Sequence, residues 1–346
     1  MAFIIGKQLL LHAWCFRKSN MAQKNIDIFN DIPDFSDIHR AFEKIRGQLR
    51  QTPVLNDPAL DMELDCTLFN KCEHLQRTGA FKFRGASHAV YRLREQNIKG
   101  DVATHSSGNH GAALALAARL DDRRAHVVMP ENASSIKIAA VQNNGGVVHF
   151  CQPTQAAREH GLAVLLGQGH IPIPPYDHAD IIAGQGTACL ELLQQVPQLD
   201  AIVVPIGGGG LISGSAIVAR HFGVEVFGAE PDGAADTAAS LSLGQRVESW
   251  QPDTIADGLR ALVGIRNFAV IQKSVKNVFT VAEDAIRMAM LQFWRHTRMI
   301  IEPSSAVAIA AIQAHPEVFA GRKTGAIITG ANIHPADWLA LTRQVS

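Results

Sequence analysis

The chain has 346 residues, of which 47% are hydrophobic, so it is long enough to bury a large core and to divide into two lobes. Its 32 acidic and 32 basic residues balance, which argues against binding to nucleic acid or to an anionic membrane. No CxxC pair or metal-ligand spacing occurs among the five cysteines, Cys15, Cys66, Cys72, Cys151 and Cys189. Such a scattered set indicates reduced thiols in a cytoplasmic protein.

The first twenty residues contain two short apolar runs, Phe3–Ile5 and Leu9–Leu11, which Lys7 separates. No small-residue cleavage site follows them, so a secretory signal is not indicated, and the runs are too short to cross a membrane. We expect residues 1–25 to be a disordered leader, with Met21 as an alternative start.

Strand-like and helix-like segments alternate along the rest of the chain. Their spacing predicts helices over 36–49 (with Ser36 as the cap), 86–97, 112–120, 134–143, 154–167, 181–196, 211–222, 282–297 and 304–314. It predicts strands over 64–70, 102–105, 125–129, 147–151, 171–175, 201–206, 224–229 and 325–329. This alternation is typical of an α/β protein with parallel-rich open sheets flanked by helices.

Four consecutive glycines, Gly207–Gly210, follow a buried strand and open a helix. They expose backbone N–H groups at the positive helix end and leave room for a phosphate, which favours an anion site over a merely flexible turn. The dinucleotide fingerprint GxGxxG is absent, because Ser213 or Ile212 stands where its last glycine would be. GxxxxGK[ST] is absent too, so nicotinamide cofactors and nucleoside triphosphates lack their motifs.

A lysine, Lys82, lies between Phe81 and Phe83. Apolar neighbours desolvate an ammonium and lower its pKa, and a neutral amine forms a Schiff base with an aldehyde cofactor. By itself the pattern is more typical of a surface lysine whose stem covers apolar residues. A Schiff-base lysine together with a phosphate site predicts pyridoxal 5′-phosphate (PLP), which requires both.

The turn Ser106–Gly111 joins a predicted strand to a predicted helix. Its hydroxyls, amide and backbone donors can hold a substrate carboxylate at the helix N-terminus. An ordinary capping turn is the alternative.

Six motifs occur in order along the chain: 78–86, 106–111, 183–187, 207–210, 254–258 and 301–305. Together they resemble the serine/threonine dehydratase and serine racemase group of fold-type II PLP-dependent enzymes, from about residue 35 to the C-terminus. The resemblance implies a two-lobe, tryptophan synthase β-like fold. Residues 26–100 and 179–346 would form the large PLP-binding domain, and 101–178 the small domain that closes on substrate. It also implies a homodimer.

The resemblance implies specific contacts to the cofactor. Lys82 would form the Schiff base and Phe81 would lie next to the ring. Asn109 would bind the phenolic oxygen, and Gly207, Gly208, Gly209 and Gly210 the phosphate. Thr329 would meet the pyridine nitrogen with its hydroxyl. A hydroxyl leaves that nitrogen largely unprotonated, which favours expulsion of a β-leaving group.

The implied reaction is dehydration and deamination of a small β-hydroxy amino acid to a 2-keto acid and ammonia. L-Threonine or L-serine is the leading substrate, with Lys82 as general base. Ser106, Ser107, Asn109 and His110 would contact the substrate. Because Ser107 occupies the position where racemases of this group carry their second acid/base, racemisation is chemically available.

Two further positions bear on the substrate. Arg158 could pair with a second carboxylate, which would suit 3-hydroxyaspartate, although an exposed helix arginine is the alternative. Ala261 lacks the serine hydroxyl common in racemases, which counts against efficient serine racemisation. A PLP carrier without catalysis is the non-enzyme alternative, and the intact motif around Lys82 disfavours it.

An acidic segment at a strand end resembles the divalent-metal segment of the same group. Glu230 and Asp236 would supply carboxylate oxygens and Ala234 a carbonyl. Oxygen ligands suit Mg²⁺, Ca²⁺ or Mn²⁺. The alternative is a pair of solvated carboxylates.

Overall fold

A computed structural model describes residues 31–106 and 108–345. The predicted leader, Cys15 and Ser107 lie outside the described residues. The strands are β1 Val54–Leu55, β2 Thr67–Lys71, β3 Val102–His105, β4 Ala125–Pro130, β5 Val147–Cys151, β6 Ile171–Pro172, β7 Ala201–Pro205, β8 Glu225–Pro231, β9 Asn277–Val281 and β10 Lys323–Ile327. The helices are α1 Phe35–Ile45, α2 Pro58–Leu64, α3 Lys82–Glu95, α4 Asn109–Arg119, α5 Ser135–Asn143, α6 Gln155–Gly167, α7 Ala179–Gln195, α8 Gly210–Phe222, α9 Asp236–Leu243, α10 Ile265–Ser274, α11 Glu283–Thr297, α12 Pro303–Ala314, α13 Pro316–Phe319 and α14 Pro335–Thr342.

The larger sheet has six strands in the order β1-β2-β10-β7-β8-β9, and only β1 runs antiparallel to its neighbour. Its central strand β7 is buried at every residue. Ala201 and Val203 pack on the face that α11 and α12 cover, whereas Ile202 and Val204 pack on the face that α7 and α8 cover. Burial on both faces explains the uninterrupted apolar run of this strand.

The smaller sheet has four parallel strands in the order β5-β4-β3-β6. One face, with Val102 and Val127, packs against α3 and α4, and the other, with Ala103 and Val128, packs against α6. The α/β architecture with parallel-rich sheets flanked by helices is thereby confirmed. None of the helices in the described ranges is both long and apolar enough to cross a membrane.

Several predicted boundaries are wrong for local reasons. Helix α1 begins before Ser36, because the Asp34 carboxylate caps it by accepting the Asp37 N–H at 2.9 Å. Leu64 ends α2 rather than beginning a strand. Helix α3 begins at Lys82 rather than at residue 86. Only Ile171–Pro172 of the predicted segment 171–175 is a strand, and it pairs with β3 of the smaller sheet.

Candidate active site

The glycine loop joins β7 to α8, as its sequence predicts. A Cβ atom on Gly208 would lie 2.2 Å from the Tyr176 ring, and one on Gly207 would lie 3.0 Å from the Gly258 carbonyl oxygen. The Gly209 backbone has φ +89°, which favours glycine. The Asn267 amide donates to the Gly208 carbonyl at 2.6 Å. The loop therefore has neighbours that only glycines accommodate.

The Lys82 side chain is half-buried at the start of α3. Its Nζ donates to the Pro175 carbonyl at 3.0 Å and lies 5.0 Å from the centroid of the Phe81 ring. Burial lowers the pKa of Lys82 to about 8, against the opposing effect of the Glu302 charge. The lowered pKa is confirmed, but Phe83 belongs to the core of the smaller sheet and only Phe81 faces the amine.

The segment Pro175–Tyr176 connects the lysine to the glycine loop. Pro175 accepts the Lys82 hydrogen bond, and the next residue, Tyr176, covers Gly208 and Gly210. Sequence reasoning missed this segment, which it assigned to the end of a strand. Its proline pair before a tyrosine is a signal that the chain is extended there.

The last strand leads into a segment that lies beside the lysine. The Phe81 N–H donates to the Thr329 carbonyl at 2.9 Å, and Ala80 pairs with Gly330 in an isolated bridge. The Thr329 hydroxyl is buried and lies 3.0 Å from the Ser305 Oγ. A pair of neutral hydroxyls therefore lies next to the backbone contact between Thr329 and Phe81.

Two half-buried amides and a buried carboxyl form a hydrogen-bonded chain that begins at Asn109, the first residue of α4. The Asn109 Nδ2 donates to Glu302 at 2.8 Å, and its Oδ1 accepts from the Asn332 Nδ2 at 2.9 Å. Burial raises the pKa of the Glu302 carboxyl above its ordinary range. Sequence reasoning quoted Glu302 only as part of a motif, and nothing in its local pattern marked it as a site residue.

An ion pair adjoins this chain. Lys137 of α5 pairs with Asp257, and a Cβ on Gly108 would overlap the Lys137 stem. The Gly258 N–H donates to the Ser304 Oγ at 3.0 Å. These contacts bring the segments 254–258, 301–305 and 106–111 together, although sequence reasoning did not single out Lys137.

The remaining predicted substrate residues differ in their surroundings. The Ser106 Oγ accepts the Gly108 and Gly111 N–H groups at 3.1 Å each, which is the capping-turn arrangement. His110 is the second residue of α4 rather than a loop residue, and its Nε2 lies 3.1 Å from the Ile173 carbonyl. Burial lowers the pKa of His110 to about 3. Arg158 is half-buried, and its charge contributes to lowering the pKa of His105 and opposes the rise in the pKa of Tyr176.

The three predicted metal ligands are buried rather than solvated. Glu230 is fully buried and accepts the Thr237 and Ala238 N–H groups at 3.1 and 2.9 Å, while Asp236 accepts the Val263 N–H at 2.8 Å. Burial raises the pKa of Glu230 to about 8 and that of Asp236 to about 6, with the Asp236 charge adding to the rise at Glu230. Two buried carboxyls whose charges disfavour each other are a donor set that a hard cation fits.

Beneath the lysine, α3 is fixed by a buried ion-pair network. Arg84, with no exposed surface, donates to Glu73 at 2.6 and 2.8 Å and to Glu191 at 2.9 Å. Lys71 donates to the same Glu191 at 2.6 Å. The network joins β2, α3 and α7, and therefore determines where the first turn of α3 presents Lys82.

The chain is similar to known proteins of one family. Residues 45–330 match the family described as "Pyridoxal-phosphate dependent enzyme". The chain is 43% identical to a serine racemase of Dictyostelium discoideum, over 86% of this chain and 94% of that protein. It is 40% identical to a beta-hydroxyaspartate dehydratase of Paracoccus denitrificans, over 87% and 97% of the two chains.

The fold is also similar to that of a solved structure. A threonine deaminase of T.th. superposes with a TM-score of 0.83 at 35% identity, covering 87% of this chain and 99% of that one. The names of these relatives give different reactions and substrates. The chain therefore belongs to the fold-type II family of pyridoxal-phosphate dependent enzymes.

Proposed function

We propose that the protein dehydrates and deaminates a small β-hydroxy amino acid, L-threonine or L-serine in the first instance, to a 2-keto acid and ammonia. The observation that carries this proposal is the Lys82 amine. It is half-buried, has a pKa lowered to about 8, and contacts the Pro175–Tyr176 segment that also covers the glycine loop. An amine in that state can act both as nucleophile and as base.

The residues around Lys82 fit PLP. A Cβ atom added at any residue of Gly207–Gly210 would lie within 3.0 Å of a neighbouring atom, so the loop accepts only glycines without a shift of its neighbours. The backbone amides of the loop suit a phosphate. We propose that these glycines hold the phosphate, Phe81 lies beside the ring, and Asn109 and Thr329 bind its polar atoms. When bound, PLP supplies the electron sink that stabilises charge at Cα.

Within this arrangement the chain's own residues move and hold protons. Lys82, whose pKa burial lowers to about 8, removes the Cα proton. Glu302 accepts the Asn109 amide hydrogen and thereby orients that side chain. The Thr329 hydroxyl would not keep the pyridine nitrogen of the cofactor protonated, as a carboxyl group would. We propose that this difference favours elimination. Ser106 and His110 shape the turn that receives the substrate carboxylate, and Ser107 remains a predicted contact.

A second candidate substrate, 3-hydroxyaspartate, is favoured by Arg158. Its charge lowers the pKa of His105 and opposes the rise in the pKa of Tyr176. The side chain therefore lies towards the segment that covers the glycine loop. A guanidinium there could pair with a second substrate carboxylate. Racemisation of serine is a third candidate, supported by the name of the Dictyostelium relative.

A substrate panel distinguishes these candidates. We expect keto-acid release from L-threonine, L-serine or a 3-hydroxyaspartate isomer, and little racemisation of L-serine. If Arg158 binds a second carboxylate, Arg158→Ala should lower kcat/KM for hydroxyaspartate about 10- to 100-fold, the factor expected for the loss of one hydrogen bond to a charged group. Turnover of L-threonine should stay unchanged. The exposed Arg119→Ala is the matched control. An unchanged preference in Arg158→Ala removes the dicarboxylate candidate.

Cofactor retention tests the glycine loop. In Gly208→Ala the added Cβ would lie 2.2 Å from the Tyr176 ring, so either the ring or the loop must move. We expect the Kd for PLP, measured by absorbance titration, to rise at least about tenfold, which corresponds to about 1.4 kcal/mol. Gly47→Ala is the control, because nothing lies within 4 Å of its Cβ position. Equal PLP affinity in the two variants would count against the phosphate assignment.

Three features of the whole protein complete the proposal. Glu230, Asp236 and the Ala234 carbonyl would hold Mg²⁺, Ca²⁺ or Mn²⁺.

Residues 101–178 would form a small domain that closes on substrate against 26–100 and 179–346. The Asn109–Glu302 and Lys137–Asp257 contacts lie between the two domains. The homodimer and the cytoplasmic location stay predictions from the sequence.

A further inference from the structure

A cluster of imidazoles lies on the smaller sheet, where the proposed reaction has no use for them. Asp101, His126 and His170 each offer a ligand atom, and these three atoms lie within 4.8 Å of one another. The His126 and His170 rings stack with centroids 4.0 Å apart, and the His126 Nε2 lies 3.7 Å from an Asp101 oxygen. No other such group of three occurs among residues 31–106 and 108–345.

The sheet topology explains why these residues meet. Asp101 immediately precedes β3, His170 immediately precedes β6, and His126 is the second residue of β4. Because the strands are parallel, all three positions lie at the amino-end edge of the sheet. The turn that carries Asn109 follows β3, at the opposite edge. The cluster is therefore separate from the candidate active site.

A third histidine, His149, contacts the cluster. The His126 Nδ1 and the His149 Nε2 lie 3.0 Å apart, so one of them donates to the other. When His126 donates from Nδ1, its Nε2 carries a free lone pair that faces Asp101 and His170. A partner that binds the second ring nitrogen is the usual support of a metal-ligating histidine.

The surroundings favour a cation. The backbone N–H of His170 donates to the Leu165 carbonyl at 3.3 Å, so the cluster adjoins the C-terminal end of α6, the negative end of the helix dipole. Nearby Arg123 is paired with Asp121 at 2.8 Å.

We propose that Asp101, His126 and His170 bind a transition-metal ion of the Zn²⁺ or Ni²⁺ class, with His149 as the positioning residue. Two imidazoles and a carboxylate suit these ions, whereas Mg²⁺ and Ca²⁺ prefer oxygen ligands alone. Ligand atoms about 2.1 Å from a tetrahedral ion lie roughly 3.4 Å apart, so a small inward rotation of the side chains completes the site. The ion would link β3, β4 and β6 and stabilise the smaller sheet.

The test is calorimetric titration of the metal-stripped, PLP-loaded full chain with ZnCl₂, in excess Mg²⁺ so that oxygen-only sites are filled. We expect about one Zn²⁺ per chain in the wild type. His170→Gln and Asp101→Asn should each weaken binding at least tenfold, and His149→Gln should weaken it about 10- to 100-fold. His160→Gln, an exposed histidine of α6, is the matched control and should bind as the wild type does.

A melting experiment covers the case in which a variant is less stable. Zn²⁺ should raise the Tm of the wild type and of His160→Gln, and leave the Tm of His170→Gln and Asp101→Asn unchanged. The proposal is overturned if the wild type binds no Zn²⁺, or if both ligand variants retain wild-type affinity and the same rise in Tm. The readouts do not involve turnover, so they stand apart from the proposed reaction.

Discussion

Lys82→Ala is expected to reduce keto-acid formation by on the order of 10³-fold or more, because the variant loses both the nucleophile that holds PLP and the base that removes the Cα proton. The Lys82 Nζ donates to the Pro175 carbonyl at 3.0 Å, so the amine lies beside the segment that covers the glycine loop. The measurement is keto-acid release from the best substrate of the panel, with saturating PLP.

A second readout separates catalysis from folding. Borohydride reduction of the wild type should leave a pyridoxyl adduct on Lys82, which peptide mass spectrometry detects, and the variant should carry none. Lys276→Ala is the control, because the Lys276 side chain is 64% exposed and pairs only at the surface with Glu225. Turnover in Lys82→Ala within tenfold of the control would contradict the assignment, provided that the two proteins melt at similar temperatures.

Arg84→Met is expected to lower the free energy of unfolding by about 3–5 kcal/mol, the cost of removing one partner from a buried ion pair. Arg84 has no exposed surface, and its loss leaves Glu73 and Glu191 with Lys71 as the basic partner of the network. Two buried carboxylates then share one ammonium. Denaturant unfolding of the PLP-loaded protein measures the change.

Two variants show whether charge is the cause. Adding Glu73→Gln to Arg84→Met removes the carboxylate left without its partner, so the double variant should recover part of the loss. Arg40→Ala breaks an ion pair whose side chains are 65% and 39% exposed, and it should cost less than about 1 kcal/mol. If Arg84→Met is no more destabilising than Arg40→Ala, the network does not hold α3 in place.

The sequence was most informative where local chemistry and periodicity agree. The glycine loop Gly207–Gly210 could be recognised from its own residues, because it directly follows an apolar strand. The uninterrupted apolar composition of β7 likewise predicted its burial on both faces. Boundaries were less reliable: Asp34 rather than Ser36 caps α1 because its carboxylate reaches the Asp37 N–H. Likewise, α3 extends back to Lys82, where the backbone of the preceding turn binds Thr329.

The sequence by itself determined the α/β class and the family motifs, and it singled out Lys82 as the candidate lysine, because each of these depends on contiguous residues. Only the tertiary structure decided which segments share the site. Tyr176, Lys137 and Glu302 meet the motifs across long stretches of intervening chain, where no periodicity connects them. The same holds for the histidine cluster, since parallel strands align the starts of distant segments at one edge of a sheet.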